Sequence, residues 1–420
     1  MLPFFRHRVD CFRVLRAVLI MHGDLLIKWL VLAGGLFGLL TSSVFLGLVV
    51  AGVLRFCAEA CAQLAALRAD DAAGIVPPKV SLLKPLHGAE LELEANLRGF
   101  FEQDYPAAYE VLFCARTISN AGLQVAAKVA AAYPHIPTKI VTSGEPWAAN
   151  AKVCSLGKMA EVAAYDIWVI SDSDVRVGPE YLREVVSPFR DAQVGAVTCL
   201  YRGVAAEGGL WSRLEAVGMS VEMASGVVVA NRLEGMQFVL GPTMAVRRAC
   251  VDRMGGFGVM GAYCADDFVL GNRVAANGST VVLSGHGIDH IVLNESFVDS
   301  VKHQVRWMKS TRFSRPKGHF GTSLTFGTPF GIAACAGAWM LGMPWLAVGA
   351  LVFSVAGRMF QAWLVGRFVV RERTLWRTVL LFPLRDLMGF FFWVMSYSSR
   401  EILWRGEVYE LGDKGVMRKV

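Results

Sequence analysis

Two aspartates one residue apart, Asp172-Ser173-Asp174, follow a short apolar run that ends at Ile170. Two carboxylates at that spacing, just past a buried strand, can converge on a hard divalent cation. Mg²⁺ or Mn²⁺ prefers oxygen ligands and commonly bridges to substrate phosphates. Such an ion would neutralise a diphosphate leaving group, as in the chemistry of a nucleotide-sugar. The same triplet also suits a plain polar turn ahead of the helix that Pro179-Glu180 opens. A second acidic pair, Asp266-Asp267, heads an apolar helical stretch reaching about Ala276. Acids there suit the helix dipole, and crowding of like charge can raise the pKa of one into the range of a general base. The Gly255-Gly256-Phe257 turn upstream lets the chain bend closely around a ligand. A third group, His303-Gln304-Val305-Arg306-Trp307, falls in a helix predicted from Phe297. His303 and Arg306 share one face at i and i+3. Arginine suits a pyrophosphate, and tryptophan suits stacking or a membrane interface.

These groups need elements to hold them. Short β-branched runs predict strands over Lys79–Leu83, Tyr109–Cys114, Lys139–Thr142, Asp166–Ile170 and Val194–Leu200. Helical patterns alternate with them at Leu91–Gln103, Leu123–Tyr133 and Tyr181–Phe189. That alternation predicts an α/β domain with a mostly parallel sheet and a ligand site at the carboxyl ends of its strands. The three chemical signals then fall at a strand end, a helix start and a helix face.

The rest of the chain is a membrane protein. Of its 420 residues, 54% are hydrophobic and only 18% charged, which excludes a disordered chain and an ordinary cytosolic one. The excess lies at the two ends, which excludes a fully polytopic transporter. Trp29 to Leu54 carries no ionisable group and is long enough to cross a bilayer. It is too long for the apolar part of a cleaved signal peptide. Gly318 to Gly357 carries no Asp, Glu, Lys or Arg and is broken by Gly342-Met343-Pro344. It reads as a helical hairpin whose second limb continues to about Val365 and buries Arg358. A third run, Thr378 to Ser399, contains Pro383, Arg385 and Asp386. It either spans or forms an interfacial helix with a short or re-entrant one behind it. The expected division is an N-terminal extension and membrane helix over 1–60, a catalytic domain over 61–317, and a membrane region with a tail over 318–420.

Net charge is +7, and its placement is informative. Lys302, Arg306, Lys309, Arg312, Arg315 and Lys317 stand together just before a membrane run. By the positive-inside rule this places the catalytic domain on the cytoplasmic face of an inner membrane. Arg6, Arg8, Arg13 and Arg16 pull the other way, unless the chain starts at Met21 rather than Met1. The nine cysteines form no CxxC pair or Cys/His cluster, so neither zinc nor a disulfide framework is expected. No nucleic-acid partner is expected.

Asp-x-Asp, then Asp-Asp, then x-x-Arg-Trp just before membrane runs is a specific order. The chain resembles the ceramide glucosyltransferase-like glycosyltransferases, most of all the bacterial members, which include hopanoid-biosynthesis-associated enzymes. The residues carrying the resemblance are Val80-Ser-Leu-Leu-Lys-Pro-Leu-His-Gly88, Phe100-Phe-Glu-Gln-Asp-Tyr-Pro106, Asp172-Ser-Asp174, Thr198-Cys-Leu-Tyr-Arg-Gly203, Gly255-Gly-Phe257, Ala265-Asp-Asp-Phe268 and Gln304-Val-Arg-Trp307. The resemblance implies a GT-A fold, a UDP-sugar donor, a Mg²⁺ or Mn²⁺ ion, a membrane lipid acceptor such as ceramide or a hopanoid, and inversion at the sugar. It implies Asp267 as the base, with Asp266 beside it, and Asp172 with Asp174 as the metal pair. Lys84, Pro85, Lys152 and Asp172 fall on the donor side. Arg306 falls at the diphosphate, with His303, Gln304 and Trp307 on the acceptor side. Three positions depart from the pattern. No acid follows the second strand, where Thr117 takes the place of an expected aspartate. His303 stands where Gln or Arg is usual in the eukaryotic signature, and Asn150-Ala-Lys-Val-Cys-Ser155 is a loosened motif. Besides single-sugar transfer, two readings stay open: a processive polysaccharide synthase, and a donor-site-degenerate relative that binds a lipid or a partner.

Overall fold

The computed structural model describes residues 3–206, 209–293, 296–404 and 406–420, with side chains from Gly23 onward. The basic residues Arg6 to Arg16 and the choice between Met1 and Met21 lie outside the described side chains.

An eight-stranded sheet carries the central region. Its strands are β1 (Val80–Pro85), β2 (Tyr109–Ala115), β3 (Thr138–Thr142), β4 (Ile167–Ile170), β5 (Val175–Arg176), β6 (Val194–Ala205), β7 (Met244–Arg247) and β8 (Thr280–Val292), in the order β3-β2-β1-β4-β7-β6-β8-β5. The first four run parallel. β7 is antiparallel to both neighbours, and β6 and β8 are again parallel. The helices α2 (Leu93–Arg98), α3 (Ala121–Ala131), α4 (Ala151–Val162) and α5 (Tyr181–Val186) fall between strands, as the alternation predicts. The strands β1, β2 and β4 are almost wholly buried, which is why they read as continuous apolar runs. The chain leaves β1 towards β2 and β3, then returns to place β4 on the other side of β1. That reversal opens a crevice beyond Pro85 and Ile170, the usual ligand position in such sheets. The helix expected over Leu91–Gln103 is shorter than its pattern. At Gly99, where it stops, a Cβ would come within 2.7 Å of the Val177 carbonyl oxygen, so the chain must turn to pass that strand end.

The second half of the region was less visible in the pattern. α6 (Leu210–Val217), a π-helical turn (Gly218–Met223) and α7 (Ala224–Glu234) form one continuous helical rod. α8 (Arg248–Arg253), α9 (Asp266–Ala276) and α10 (Phe297–Ser314) complete the region.

α1 is one helix from Pro3 to Ala72, 70 residues and about 105 Å at 1.5 Å per residue. It passes Arg55 and residue 60 without a break, because Ala58, Ala60, Ala62, Ala65, Ala66 and Ala69 favour helix, and Ala60 brings the helix close against β8. A Cβ at Gly285 would lie 2.5 Å from that of Ala60. Gln63 donates to the Leu283 carbonyl at 2.9 Å and accepts from the Gly285 amide at 2.9 Å. Ion pairs Arg183–Asp71 (2.7 Å) and Arg190–Asp70 (3.0 Å) tie down its end. The membrane helix is thereby fixed rigidly to the sheet.

α11 (Pro316–Thr322), α12 (Thr328–Met340), α13 (Pro344–Phe368) and α14 (Leu375–Met395) follow. Among the described residues three helices are long and apolar enough to cross a membrane: Gly23–Ala72 of α1, α13 and α14. The hairpin turn expected at Gly342-Met343-Pro344 is present, with Gly342 at φ +73°. Its first limb corrects the sequence reading. α12 has 13 residues, about 20 Å, short of the roughly 30 Å hydrocarbon core. It begins at Thr328 rather than Gly318 because Asp386 accepts from the Gly327 and Thr328 amides (3.0 and 2.7 Å) and sets the helix start there. Small residues hold α12 against α1: a Cβ at Gly337 would lie 2.5 Å from the Leu32 nitrogen. α14 runs through Pro383 as one 21-residue helix, with Arg385 and Asp386 turned inward and buried. Arg358 is buried, as expected.

The tail is folded. β9 (Glu401–Trp404), β10 (Glu407–Leu411) and β11 (Met417–Lys419) form a three-stranded antiparallel sheet. It returns to the catalytic region, where Cys264 and Met417 exchange amide bonds with Gly415 and Ala262, and Ile402, Leu411 and Met417 bury against Cys264. Those contacts join residues far apart in the chain, which local patterning does not report.

Candidate functional site

The crevice beyond β1 and β4 is built around Lys84. Its ammonium is fully buried, donates to the Asp172 carbonyl oxygen at 2.6 Å and lies over the Phe100 ring at 3.8 Å. Burial pulls its pKa down to about 7. Lys84 therefore fastens the backbone of the Asp-Ser-Asp turn rather than lining the cavity, whereas Pro85 does line it. On the cavity side Lys152 pairs with Asp172 at 2.7 Å and with Asp266 at 3.5 Å. Although burial opposes its charge, the two acids push its pKa above the ordinary lysine value. Asn150 caps α4, accepting from the Lys152 and Val153 amides, and its side-chain amide donates to the Tyr263 carbonyl (3.0 Å) and Asp266 (3.3 Å). The loosened Asn-x-Lys motif thus joins both acidic pairs in one electrostatic unit.

Asp174 points the other way along the turn. Its Oδ2 lies 2.9 Å from His290 Nε2, and its Oδ1 is buried with no hydrogen-bond partner. Burial penalises both charges, but their mutual attraction outweighs it, so the Asp174 pKa falls and that of His290 rises. His290 escaped the sequence reading. It sits near the end of β8, a strand with no acidic motif around it, and pairing with β5 brings it to Asp174. Among the described residues no three His, Cys, Asp or Glu side chains gather as a ready-made metal cage. The oxygen-rich pair Asp172 and Asp174, with an unpartnered buried oxygen on Asp174, nevertheless fits a hard cation that takes its remaining ligands from a diphosphate and water.

Asp267 stands opposite. Its Oδ2 accepts from the Gly241 amide at 2.9 Å and its Oδ1 from the Phe268 amide at 2.7 Å. Gly241 separates it from Asp172: a Cβ there would lie 3.4 Å from Asp267 Oδ2 and 3.5 Å from Asp172 Oδ2. Burial first, and the neighbouring Asp266 second, push the Asp267 pKa up to about 6, with Lys152 opposing. A base must be ionised to accept a proton, so with Asp267 in that role kcat/KM would rise with pH through about 6 and be about ten-fold lower at pH 5 than on the plateau. A pH–rate profile checks this; a flat profile between pH 5 and 8 would remove Asp267 as the titrating group. The Gly255-Gly256 turn, at φ +93° and +80°, does not reach the ligand space as expected. It seats Phe257 on Trp168, ring centroids 5.5 Å apart.

α10 supplies the third group. His303 Nδ1 lies 2.6 Å from Glu215 Oε1, and Glu215 also accepts from Ser300 at 2.6 Å. Trp307 packs 4.5 Å from the His303 ring and stacks at 6.4 Å towards His290. His303, Arg306 and Trp307 line the cavity with Lys152, Asp172, Asp174, Asp266 and Asp267. Besides Lys84, two expected residues stand apart from the cavity. Gln304 is buried behind them, donating to Ser300 at 3.0 Å. Thr117 is exposed on the loop after β2, within 3.2 Å of Ser119.

The cavity measures about 870 Å³ and does not end at the carboxylates. It continues between the rod of α7 and the membrane helices, where Phe45 and Leu48 of α1, Val227 and Ala230 of α7, Phe326 and Phe382 form apolar walls. One space therefore joins the acidic, basic end at the sheet to surfaces of helices apolar enough to cross a bilayer.

Comparison with known proteins agrees with this geometry. The family described as glycosyl transferase family 21 matches residues 43–417. Ceramide glucosyltransferase 1 of Caenorhabditis elegans is 22% identical over 349 residues, which cover 81% of this chain and 73% of the relative. Ceramide glucosyltransferase 3 of the same nematode is 24% identical over 237 residues, 55% of this chain and half of the relative's length. Among solved structures, the mannosyltransferase PcManGT from Pyrobaculum calidifontis, in complex with GDP-Man and Mn²⁺, shares 18% identity at a TM-score of 0.42, over 82% of this chain and 99% of its own. The family match begins inside α1 and ends in the last strand, taking in the carboxylates, the basic helix and the membrane helices together: the chain belongs to glycosyl transferase family 21.

Proposed function

We propose that this hexosyltransferase moves one sugar from a UDP-sugar to a hydroxyl of a membrane lipid, ceramide or a hopanoid, with inversion at the sugar carbon. The observation that carries the reading is the single cavity running from the acidic pairs to the membrane helices. A water-soluble donor can enter at the sheet and an amphiphilic acceptor from the bilayer side. Residues 61–317 serve as the catalytic unit, framed by the membrane segments, and the basic face of α10 supports a position for that unit on the cytoplasmic side of an inner membrane.

In this reading Asp267 accepts the proton of the lipid hydroxyl as its oxygen attacks the sugar carbon from the face opposite the diphosphate. Two backbone amides hold that carboxylate in place, so its geometry does not depend on the substrate. Lys152 balances the charge of Asp172 and Asp266 so that a dianionic donor can approach. Arg306 offers a guanidinium to the departing phosphates. A Mg²⁺ or Mn²⁺ ion held by Asp172 and Asp174 would supply further charge neutralisation for the leaving UDP. Removing Arg306 withdraws charge stabilisation that grows in the transition state, so Arg306→Ala should weaken UDP-sugar binding and lower turnover by about 10²-fold. Donor titration beside single-turnover rates measures both; unchanged values would take Arg306 out of the donor site.

Expression in a host without glycolipids, with labelled UDP-glucose or UDP-GlcNAc and lipid extraction, tests the whole reading. A labelled lipid carrying one sugar is expected. A labelled polymer would favour processive synthesis. No product with any donor would favour a lipid- or partner-binding protein, the reading that the exposed, uncharged Thr117 supports.

A further inference from the structure

The membrane end of the cavity is polar where its surroundings are not. Glu222, Arg358, Gln361 and Asp386 line it. Gln361 belongs to α13, a helix apolar enough to cross a membrane, and is 1% exposed. Its Nε2 donates to Ser225 Oγ at 2.8 Å, but its Oε1 is buried with no hydrogen-bond partner. A buried amide oxygen left unmet is costly, and polar side chains that face a cavity among membrane helices mark substrate paths.

A second observation points the same way. Glu222 sits in the π-helical turn Gly218–Met223, a departure from regular helix that is frequent at functional sites. The turn presents Glu222 to Arg385, with Oε2 and Nη2 3.0 Å apart. Glycines keep the space for this pair. A Cβ at Gly218 would lie 2.6 Å from Arg385 Nη2, and one at Gly389 would lie 3.0 Å from Glu222 Oε2. The neighbouring charges are already engaged. Arg358 donates to the Thr325 carbonyl at 2.9 Å, and Asp386 caps α12. Of the side chains that line this end of the cavity, Gln361 Oε1 and Glu222 Oε2 are buried acceptors with no hydrogen-bond partner, and the unpartnered Arg385 Nε and Nη1 lie outside the cavity lining.

We propose that Gln361, with Glu222 beside it, is a specificity-determining subsite for the acceptor lipid. Its amide oxygen accepts a hydrogen bond from a second donor on the lipid, an amide N–H or further hydroxyl that lies on the membrane side of the reacting hydroxyl. An N-acyl amino-alcohol lipid carries such a donor, whereas a diacylglycerol offers only ester oxygens. This rests on the reading of the cavity as a lipid-acceptor site.

The test compares a short-chain N-acyl amino-alcohol, its N-methyl analogue with no other hydroxyl, and a short-chain diacylglycerol, using full-length protein in detergent. Wild type should favour the N–H lipid in kcat/KM by about 10–100-fold over both. Gln361→Leu should bring that ratio within about three-fold, while Gln361→Glu, which keeps an acceptor oxygen, should retain most of it. UDP binding by each variant reports folding, and the wild-type ratio stands as a test without them. A wild-type ratio near one overturns the subsite. So does a Gln361→Leu loss that falls equally on all three lipids, which is the mark of a structural role. Wild type that transfers to none of these lipids overturns the acceptor reading itself.

Discussion

Asp267→Asn is expected to bind UDP-sugar normally and to lose about 10²–10⁴-fold in transfer rate, the usual contribution of a positioned general base. The substitution is nearly isosteric, and the carbonyl oxygen of asparagine can still accept from either the Gly241 or the Phe268 amide, so the start of α9 should hold. What is lost is basicity. The carboxylate has been made a better base by burial and by Asp266, with a pKa of about 6, which keeps it ionised at neutral pH. Asp266 does not substitute for it, because Asp266 is already committed to Lys152 and Asn150. Donor titration and single-turnover transfer on the same preparation decide the matter. Near-normal transfer by Asp267→Asn would move the base elsewhere in the cavity.

Asp172→Asn should cost about 10³-fold and should abolish any dependence of turnover on divalent cation. Asp172 does two things at once. It balances Lys152 at 2.7 Å, and with Asp174 it presents carboxylate oxygens to the end of the crevice where a diphosphate must lie. Neutralising it leaves the Lys152 charge partly unmatched and halves the anionic charge of the pair. The Lys84 bond to the Asp172 carbonyl is a backbone contact and survives, so the turn keeps its shape. Mn²⁺ binding followed spectroscopically, beside donor affinity, should fall with turnover. A folded Asp172→Asn protein with full, cation-dependent activity would remove the metal pair from the mechanism.

The α/β architecture was legible in the residues because its signals are local. Strands buried on both faces must be apolar and β-branched, and β1, β2, β3 and β4 each appear within a residue or two of their expected bounds. Asp172, Asp174, Asp266 and Asp267 were legible because acids at strand ends and helix starts stand out against apolar runs. Arg306 and Trp307 stood out as an order of motifs rather than as single residues. What local patterning does not encode is which distant segments meet. His290 reaches Asp174 only through the pairing of β5 with β8, and Gly241 enters only because β7 reverses the sheet beside β4. Lys84 and Lys152, both read as donor-side residues, were separated into a buried strut and a cavity wall by packing around Phe100 and Asp266. The docking of α1 on β8, the return of the C-terminal sheet to Cys264, and the polar end formed by Glu222 and Gln361 likewise join residues more than a hundred positions apart. Burial and pairing are properties of the folded whole. A polar residue in a membrane helix carries the same letter whether it caps a neighbour, as Asp386 does, or keeps an atom open towards a cavity, as Gln361 does.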